Sequence, residues 1–592
     1  MNRRSVWAPS ASSVAMVTAD QRVEMRRAER GWWRVELSAE LSHADYGFSL
    51  DGGDPLPDPR SPYQPHGVHG LSRPVDHSAF VWRHARWRQA PLSSAIIYEL
   101  HIGTFTPAGT FDAAADRLGH LRDLGVTHVE LMPVAEFSGA RGWGYDGVDL
   151  YAPHHSYGGP DAMKLFVDAA HGHGLGVILD VVYNHLGPEG AYLGKFGPYF
   201  TDRYRTPWGD AVNLDDRDSD EVRQFFCDDA LMWLRDYRVD GLRLDAIHAI
   251  FDASATHFLE QLGAQVHELE AEVGRPLIVI AESDLNLPRI VTAREAGGYG
   301  LDAQWNDDFH HALHTILTGE QAGYLADFGS IAQLAKCLTR GFVYDGTYSK
   351  SRRRSHGAPV TGLSAHRFVA FIQNHDQVGN RALGERFGHL VTIDRLKIAA
   401  AMLMTAPFVP MLFQGEEWNA STPFLYFTDH QDADLAEAVR KGRRREFAHF
   451  VANVAEIPDP QARETFERSK LAWDELDRGE HREIFEWYRR LIRLRRCVRD
   501  FENGRLDLDA VTFDENARWI SVKRGQSVVI CNFASTSQRV PVANASRLDI
   551  ALASKSAVRI DGDTIDLPPV AIAILTPKDR DPSSGRSPGT SQ

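Results

Sequence analysis

Cysteine is scarce in this chain. Its 592 residues contain four, Cys227, Cys337, Cys497 and Cys531, far apart, with no CxxC pair and no histidine at ligand spacing beside them. That excludes a disulfide framework and a cysteine-bound zinc site and predicts a reducing, cytoplasmic setting. Positive charge is also short. Asp and Glu number 80 against 65 Lys and Arg, a formal net charge of −15, so nucleic acid and anionic membrane surfaces are repelled over most of the molecule. The clusters Arg352–Arg354 and Arg443–Arg445 read as solvated faces. Long apolar runs are missing: the longest, Ile398 to Phe413, is broken by Thr405, Pro407 and Pro410 and is too short to span a bilayer. The basic start meets Pro9 and several serines instead of an apolar segment, so no signal peptide is expected. There is no HExxH, no GxSxG and no GxGxxG opening a helix after the first strand. Gly190 to Lys195 resembles the end of a P-loop, at the wrong spacing and with Phe196 where a hydroxyl is needed. His171/His173 and His310/His314 lack a third ligand. No metal and no cofactor is expected.

What is present is a well-mixed globular composition, 43% hydrophobic and 24% charged, over a length worth about four domains at roughly 150 residues each. Residues 1–90 carry short alternating segments, Ser13 to Val17 and Trp32 to Leu37, between Asp, Gly, Ser and Pro. They predict a small β-sandwich, of the kind that binds carbohydrate. From Pro91 apolar runs alternate with helical patterns. The runs are Ile96–Leu100, His128–Pro133, Gly176–Val182, Gly241–Ala246, Leu277–Glu282, Ala303–Asn306, Phe368–Gln373 and Val409–Gln414. Eight such runs, most followed by a helical segment, predict an α/β fold, a (β/α)8 TIM barrel over 91–500. A long loop insertion at about 185–220 reads as functional. A last helix near Glu480 to Arg496 precedes a small C-terminal β-domain at 501–576, and 577–592 reads as a disordered tail.

In a barrel of this kind the chemistry sits where strands end. Strand three runs through Asp180 to Asn184 and His185, strand four ends Arg243-Leu-Asp245, strand five at Glu282, and strand seven runs into Gln373-Asn374-His375-Asp376. One terminal carboxylate is explained by helix capping; three, on strands four, five and seven, are not, because like charges converging on one mouth cost energy. Asp245 and Glu282, on adjacent strands, are placed to flank one bond, as a retaining glycosidase requires with carboxyls about 5–5.5 Å apart. Arg243 shares the parity of Asp245 and can hold it ionised as a nucleophile. Glu282 then has to be a protonated acid in a closed pocket. Asp376 faces them to stabilise an oxocarbenium-like transition state, with His185 and His375 placed to bond the same ring.

The blocks Asp180–His185 (DVVYNH), Gly241–His248 (GLRLDAIH), Ala281-Glu282-Ser283 and Gln373–Asn380 (QNHDQVGN) resemble the four signature regions of the α-amylase superfamily of glycoside hydrolases. The resemblance implies Asp245 as nucleophile, Glu282 as proton donor and Asp376 as transition-state stabiliser. It also implies Tyr145, in Trp143-Gly-Tyr-Asp-Gly147, as a sugar-stacking ring, although core packing explains Tyr145 equally well. It places Arg243, His248, His185 and His375 at the substrate. Some members carry structural calcium near the third-strand loop; Asn184 matches one ligand position, without a full set.

Outside these blocks, Val6-Trp-Ala-Pro9, Pro57–Ser61, Pro65–Gly70, Ile97–Phe105, Asp307–His311, Asn374–Arg381, Phe413–Trp418 and Phe424–His430 resemble the maltooligosyltrehalose trehalohydrolase family, from about Ser5 to Thr576. That resemblance implies hydrolysis of the α-1,4 bond next to the terminal trehalose of maltooligosyl trehalose, with the synthase that makes this substrate as functional partner. A compact disaccharide leaving group calls for a closed pocket walled by the loops after strands six, seven and eight. Asp307, Asp308, Phe309, His310, His311, Gln377, Gly379 and Asn380 are the candidate lining. The rival readings are a glycogen branching or debranching enzyme on the same fold and a non-catalytic glucan-binding protein. An intact set of three mutually repelling carboxylates argues against the binder.

Overall fold

The computed structural model describes residues 3–448 and 456–578; the expected tail falls almost wholly outside them. Eight parallel strands, Ile97–Leu100, His128–Leu131, Gly176–Val181, Gly241–Leu244, Ile278–Ala281, Ala303–Trp305, Phe368–Ala370 and Val409–Phe413, close into a barrel in sequence order, the eighth pairing with the first. Each lies within the apolar run that predicts it, trimmed by one to three residues where the chain leaves the barrel. The strands are largely apolar because helices cover their outer faces, and their charged residues point into the barrel.

The barrel interior is layered. Ile97, Ile178, Ile278, Ile280, Trp305, Val369, Phe371 and Met411 form an apolar floor. The same inward parity continued toward the strand ends gives Glu99, Glu130, Asp180, Arg243, Asp245 and Glu282, so the upper barrel is packed with charge. Gly241 lets strand four enter this crowded wall: a Cβ there would stand 2.8 Å from the Ile278 carbonyl oxygen.

The third-strand excursion holds a short helix, Leu193–Phe196, and an antiparallel hairpin, Phe200–Thr206 with Gly209–Val212. The N-terminal unit is two three-stranded antiparallel sheets. It is braced against the barrel where Trp32 Nε1 donates to Glu221 Oε2 at 3.0 Å, on the helix Ser219–Asp236, and where Trp7 meets Tyr199 edge-on at 5.4 Å. The helix Gly479–Cys497 leads into a five-stranded sheet and a three-stranded sheet that share a core of Val528, Ile530, Val540, Ile565 and Leu575. No helix among the described residues is long and apolar enough to cross a membrane.

Candidate active site

The site is organised around Arg243, which is fully buried. Strands three and four pair Asp180 with Arg243. Its Nη1 donates to both oxygens of Asp180 at 2.9 Å and to Asp245 Oδ1 at 2.8 Å, while Nη2 lies 3.7 Å from Glu282 Oε2. The guanidinium sits 4.2 Å from the ring centroid of Trp305, an arrangement that holds a cation on an aromatic face. Asn184 Nδ2 donates to the backbone oxygen and to Oδ2 of Asp245, both at 2.8 Å. Both Asp245 oxygens are therefore fixed, one by Arg243 and one by Asn184.

Leu244 pairs with Ala281 across strands four and five, so the next residues, Asp245 and Glu282, leave the barrel at the same height. Immediately after Asp245 the chain turns through Ala246 in the left-handed region, φ 41° and ψ 49°. A non-glycine residue there stores strain. The turn aims the Ala246 N–H at Glu282 Oε2, 2.6 Å away. Burial pushes the Glu282 carboxyl up to about 8; Arg243 opposes the rise, and Asp245, Asp307 and Asp376 add to it. Glu282 is thus a neutral acid near pH 7 and Asp245 a carboxylate gripped by a cation. Asp376 opens the helix His375–Gly379, capped by Asn374 Oδ1, and Asn380 Nδ2 holds its Oδ1 at 3.1 Å. Its side chain is 45% exposed against 12% for Asp245 and 14% for Glu282, so Asp376 reaches furthest into the open mouth.

Tyr145 does not present a free ring. Its hydroxyl donates to Asp180 Oδ2 at 2.6 Å and lies 2.8 Å from His375 Nε2, with its ring stacked on His375 at 5.0 Å. His375 Nδ1 meets Glu99 Oε1 at 2.5 Å. His185 bonds Asn184 Oδ1 through Nδ1 and lies flat against Trp208, centroids 4.4 Å apart at 6°. Trp208 belongs to the long excursion and is 48% exposed. His248 is exposed on the rim. Asp307 faces the mouth half-buried; burial, then Asp284 and Asp376, push it up to about 7. Gln377 is half-buried, with an Oε1 that has no hydrogen-bond partner.

Four candidate lining residues lie elsewhere. Asp308 turns back into the protein, where Oδ2 accepts from the backbone N–H groups of Val343 and Tyr344 and from Asn286 Nδ2 at 2.7–2.9 Å. Phe309 is fully buried against Phe408 in the barrel wall. His310 is buried beside Phe371 and His314 with neither ring nitrogen bonded. Gly379 lies behind Trp143, where a Cβ would come within 2.1 Å of the indole. His311 is also buried, its ring against Tyr324 and Phe328, so it backs the mouth through Tyr324, itself 54% exposed. The residues the sequence reasoning passed over are Asp180, Glu99, Glu130, Trp305 and Trp208, together with Tyr324, Asp284 and Arg352, the last read as a solvated face but paired with Asp284 at 2.8 Å. Parity on the strands gave a signal for the first three; Trp305 and Trp208 gave none.

The Asn184 amide is spent on Asp245. Among the described residues one group has metal-ligand proximity, Glu136, His154 and His155. There His154 Nδ1 accepts from Ser156 N–H, which leaves its Nε2 protonated toward the Phe137 oxygen and Glu136, so the group is a hydrogen-bonded network.

The α-amylase catalytic-domain family model matches residues 85–206, which takes in barrel strands one to three and the start of the excursion. A malto-oligosyltrehalose trehalohydrolase of Rhizobium sp. (strain M-11) is 49% identical over 582 residues, 97% of each chain. One from Arthrobacter ramosus is 52% identical over 84% of this chain and 87% of its own. A crystal structure from Salmonella typhimurium assigned to the α-amylases superposes with a TM-score of 0.88 at 38% identity, covering 97% of both chains. The chain belongs to the malto-oligosyltrehalose trehalohydrolase family.

Proposed function

We propose that the protein is a retaining glycoside hydrolase that cleaves the α-1,4 bond adjacent to the terminal trehalose of maltooligosyl trehalose, releasing trehalose and a maltooligosaccharide. The observation that carries the mechanism is the contrast between two carboxyls under one guanidinium. Asp245 is held by Arg243 and Asn184, whereas Glu282 is kept protonated up to about 8 by burial. Glu282 gives its proton to the glycosidic oxygen as the bond to the anomeric carbon breaks, and Asp245 closes on that carbon as an ester. Trehalose leaves. Water then attacks the anomeric carbon, surrendering its proton to Glu282 while the ester oxygen returns to Asp245, which restores both groups. Asp376 stabilises the cationic ring in both steps.

The choice of substrate is supported by the relatives, matched over nearly the full chain, and by a walled flank of the mouth. Asp307 faces Glu282, with Tyr324 and Asp284 near it in turn, and Asp284 is joined to Arg352 at 2.8 Å; together they supply donors and acceptors for a compact, hydroxyl-rich leaving group. The synthase that makes maltooligosyl trehalose is the functional partner this activity requires. Incubation with maltotetraosyl trehalose and, separately, with maltohexaose tests the proposal. Rapid free trehalose from the first and slow attack on the second is the expected result. Longer or branched chains without trehalose would overturn it in favour of a glycosyl transferase on the same fold.

A further inference from the structure

Two buried carboxylates beneath the site take no part in the double displacement. Glu99 and Glu130 are paired neighbours on barrel strands one and two, each about 1% exposed. Glu99 uses both oxygens on one residue: Oε1 meets His375 Nδ1 at 2.5 Å and Oε2 accepts the His375 backbone N–H at 3.0 Å. Glu130 has no hydrogen-bond partner on either oxygen.

The protons can be counted along this chain of contacts. Tyr145 has a single hydroxyl proton and sits 2.6 Å from Asp180 Oδ2 and 2.8 Å from His375 Nε2. Asp180 also receives Arg243 on both oxygens, the pattern of an ionised carboxylate. The hydroxyl proton therefore goes to Asp180, and the hydroxyl oxygen must accept from His375 Nε2–H. At the other edge of the ring, Glu99 takes Nδ1–H. Both ring nitrogens carry protons.

We infer that Glu99 is a positioning residue that keeps His375 doubly protonated, so that a fixed imidazolium stands 3.6 Å from Asp376 Oδ2 and holds that carboxylate in place for the sugar cation. The inference rests on the glycoside hydrolase reading above and adds to it a carboxylate that never touches substrate. The surroundings agree. Burial by itself pulls the imidazole down, but Glu99 and Asp376 outweigh it and bring His375 up to about 9. The other groups facing His375 are His101 just after strand one, Glu130 on strand two, Asp180 on strand three, Arg243 on strand four and Tyr145 from the loop after strand two. Burial holds His101 down at about 3, hence neutral. Burial, with the Glu99 charge beside it, holds Glu130 well above the usual carboxylate range. Glu130 is then a neutral acid, and the pair presents one negative charge to the ring. The contacts run from Glu99 through His375, Tyr145, Asp180 and Arg243 to Asp245, from the barrel wall to the nucleophile.

Glu99→Gln removes the counter-charge and keeps the shape. The His375 pKa should fall by about two to three units, leaving a largely neutral ring at pH 8. Trehalose release from maltotetraosyl trehalose should drop about 10- to 100-fold in kcat at pH 8, with KM changed less, and should recover toward wild type at pH 5.5, where acid restores the imidazolium. A loss that is equal at both pH values, or no loss, overturns the inference. Because Glu130 can ionise once Glu99 is neutral, the double variant Glu99→Gln/Glu130→Gln closes that escape and should lose at least as much at pH 8. Nitrogen-15 histidine spectra of the wild-type protein at pH 7, with His375 assigned from the His375→Gln spectrum, keep the question decidable if E99Q does not fold. Two protonated ring nitrogens support the inference and one overturns it. A wild-type protein that releases no trehalose refutes the proposed substrate and leaves this spectroscopic result standing.

Discussion

Replacing Glu282 by Gln should abolish turnover and make the protein more stable, and the gain should depend on pH in a prescribed way. The carboxyl stands at about 8 in the folded protein against 4.5 for an unburied glutamate, burial being the principal cause. A folded pKa raised above the unfolded one contributes stability that is fully present below pH 4.5 and is lost as pH rises toward 8. At pH 8 the unfolded chain has gained ionisation over about 3.5 units while the folded carboxyl is half ionised, which together set a ceiling of about 4 kcal/mol at 1.36 kcal/mol per unit. The side chain is 14% exposed at an open mouth, and water there reduces the cost, to about 1–2 kcal/mol. Glutamine is neutral at every pH, and its amide oxygen can still accept the Ala246 N–H that now reaches Glu282 at 2.6 Å. The variant should therefore melt close to wild type at pH 4.5 and above it at pH 8, with the difference opening between. Thermal unfolding followed by circular dichroism at pH 4.5, 6, 7 and 8 reads this directly. Parallel curves for the two proteins across that range would mean that Glu282 is ionised in the folded state, and the acid role assigned to it would fall with them.

The same geometry makes two sharper separations of role. Arg243→Lys keeps the charge but ends one bond short of Nη1, the single atom that reaches both Asp180 and Asp245; losing one charge-assisted hydrogen bond, about 1.5–3 kcal/mol, should cut kcat by about 10- to 150-fold, measured as trehalose release at pH 6.5. A loss below about threefold would show that the Asp245 contact does not matter in the transition state. Asp308→Asn should do the reverse, costing about 1–3 kcal/mol in urea unfolding because Oδ2 gathers three N–H donors, with kcat almost unchanged. If kcat falls with stability intact, Asp308 belongs at the substrate after all.

The strands were legible because a parallel barrel buries both faces of each one, which turns them into uninterrupted apolar runs, and because the charges that end those runs are the chemistry. Parity on strand four already paired Arg243 with Asp245. Carried one strand back, the same parity points to Asp180, which the fold places in register with Arg243. Glu99 and Glu130 were less accessible. Each sits inside a short apolar strand, and what makes them matter is ring closure: strand one reaches His375 only because the eighth strand returns beside it. No local pattern encodes that.

The block Asp307–His311 carries a different lesson, one that the sequence did contain. These five residues open the helix Asp307–Thr318, and on a helix successive side chains turn by about 100°. Five consecutive residues cannot all line one pocket. Positions three or four apart share a face, here Asp307 with His310 and His311, and the two of these that border the mouth are Asp307 directly and His311 through the ring of Tyr324. Asp308, Phe309 and His310 face the backbone of Val343 and Tyr344, the barrel wall and Phe371, as a backbone acceptor, a core ring and a buried imidazole. A family motif marks which stretch is constrained; the helical period decides which of its residues are constrained by substrate and which by packing.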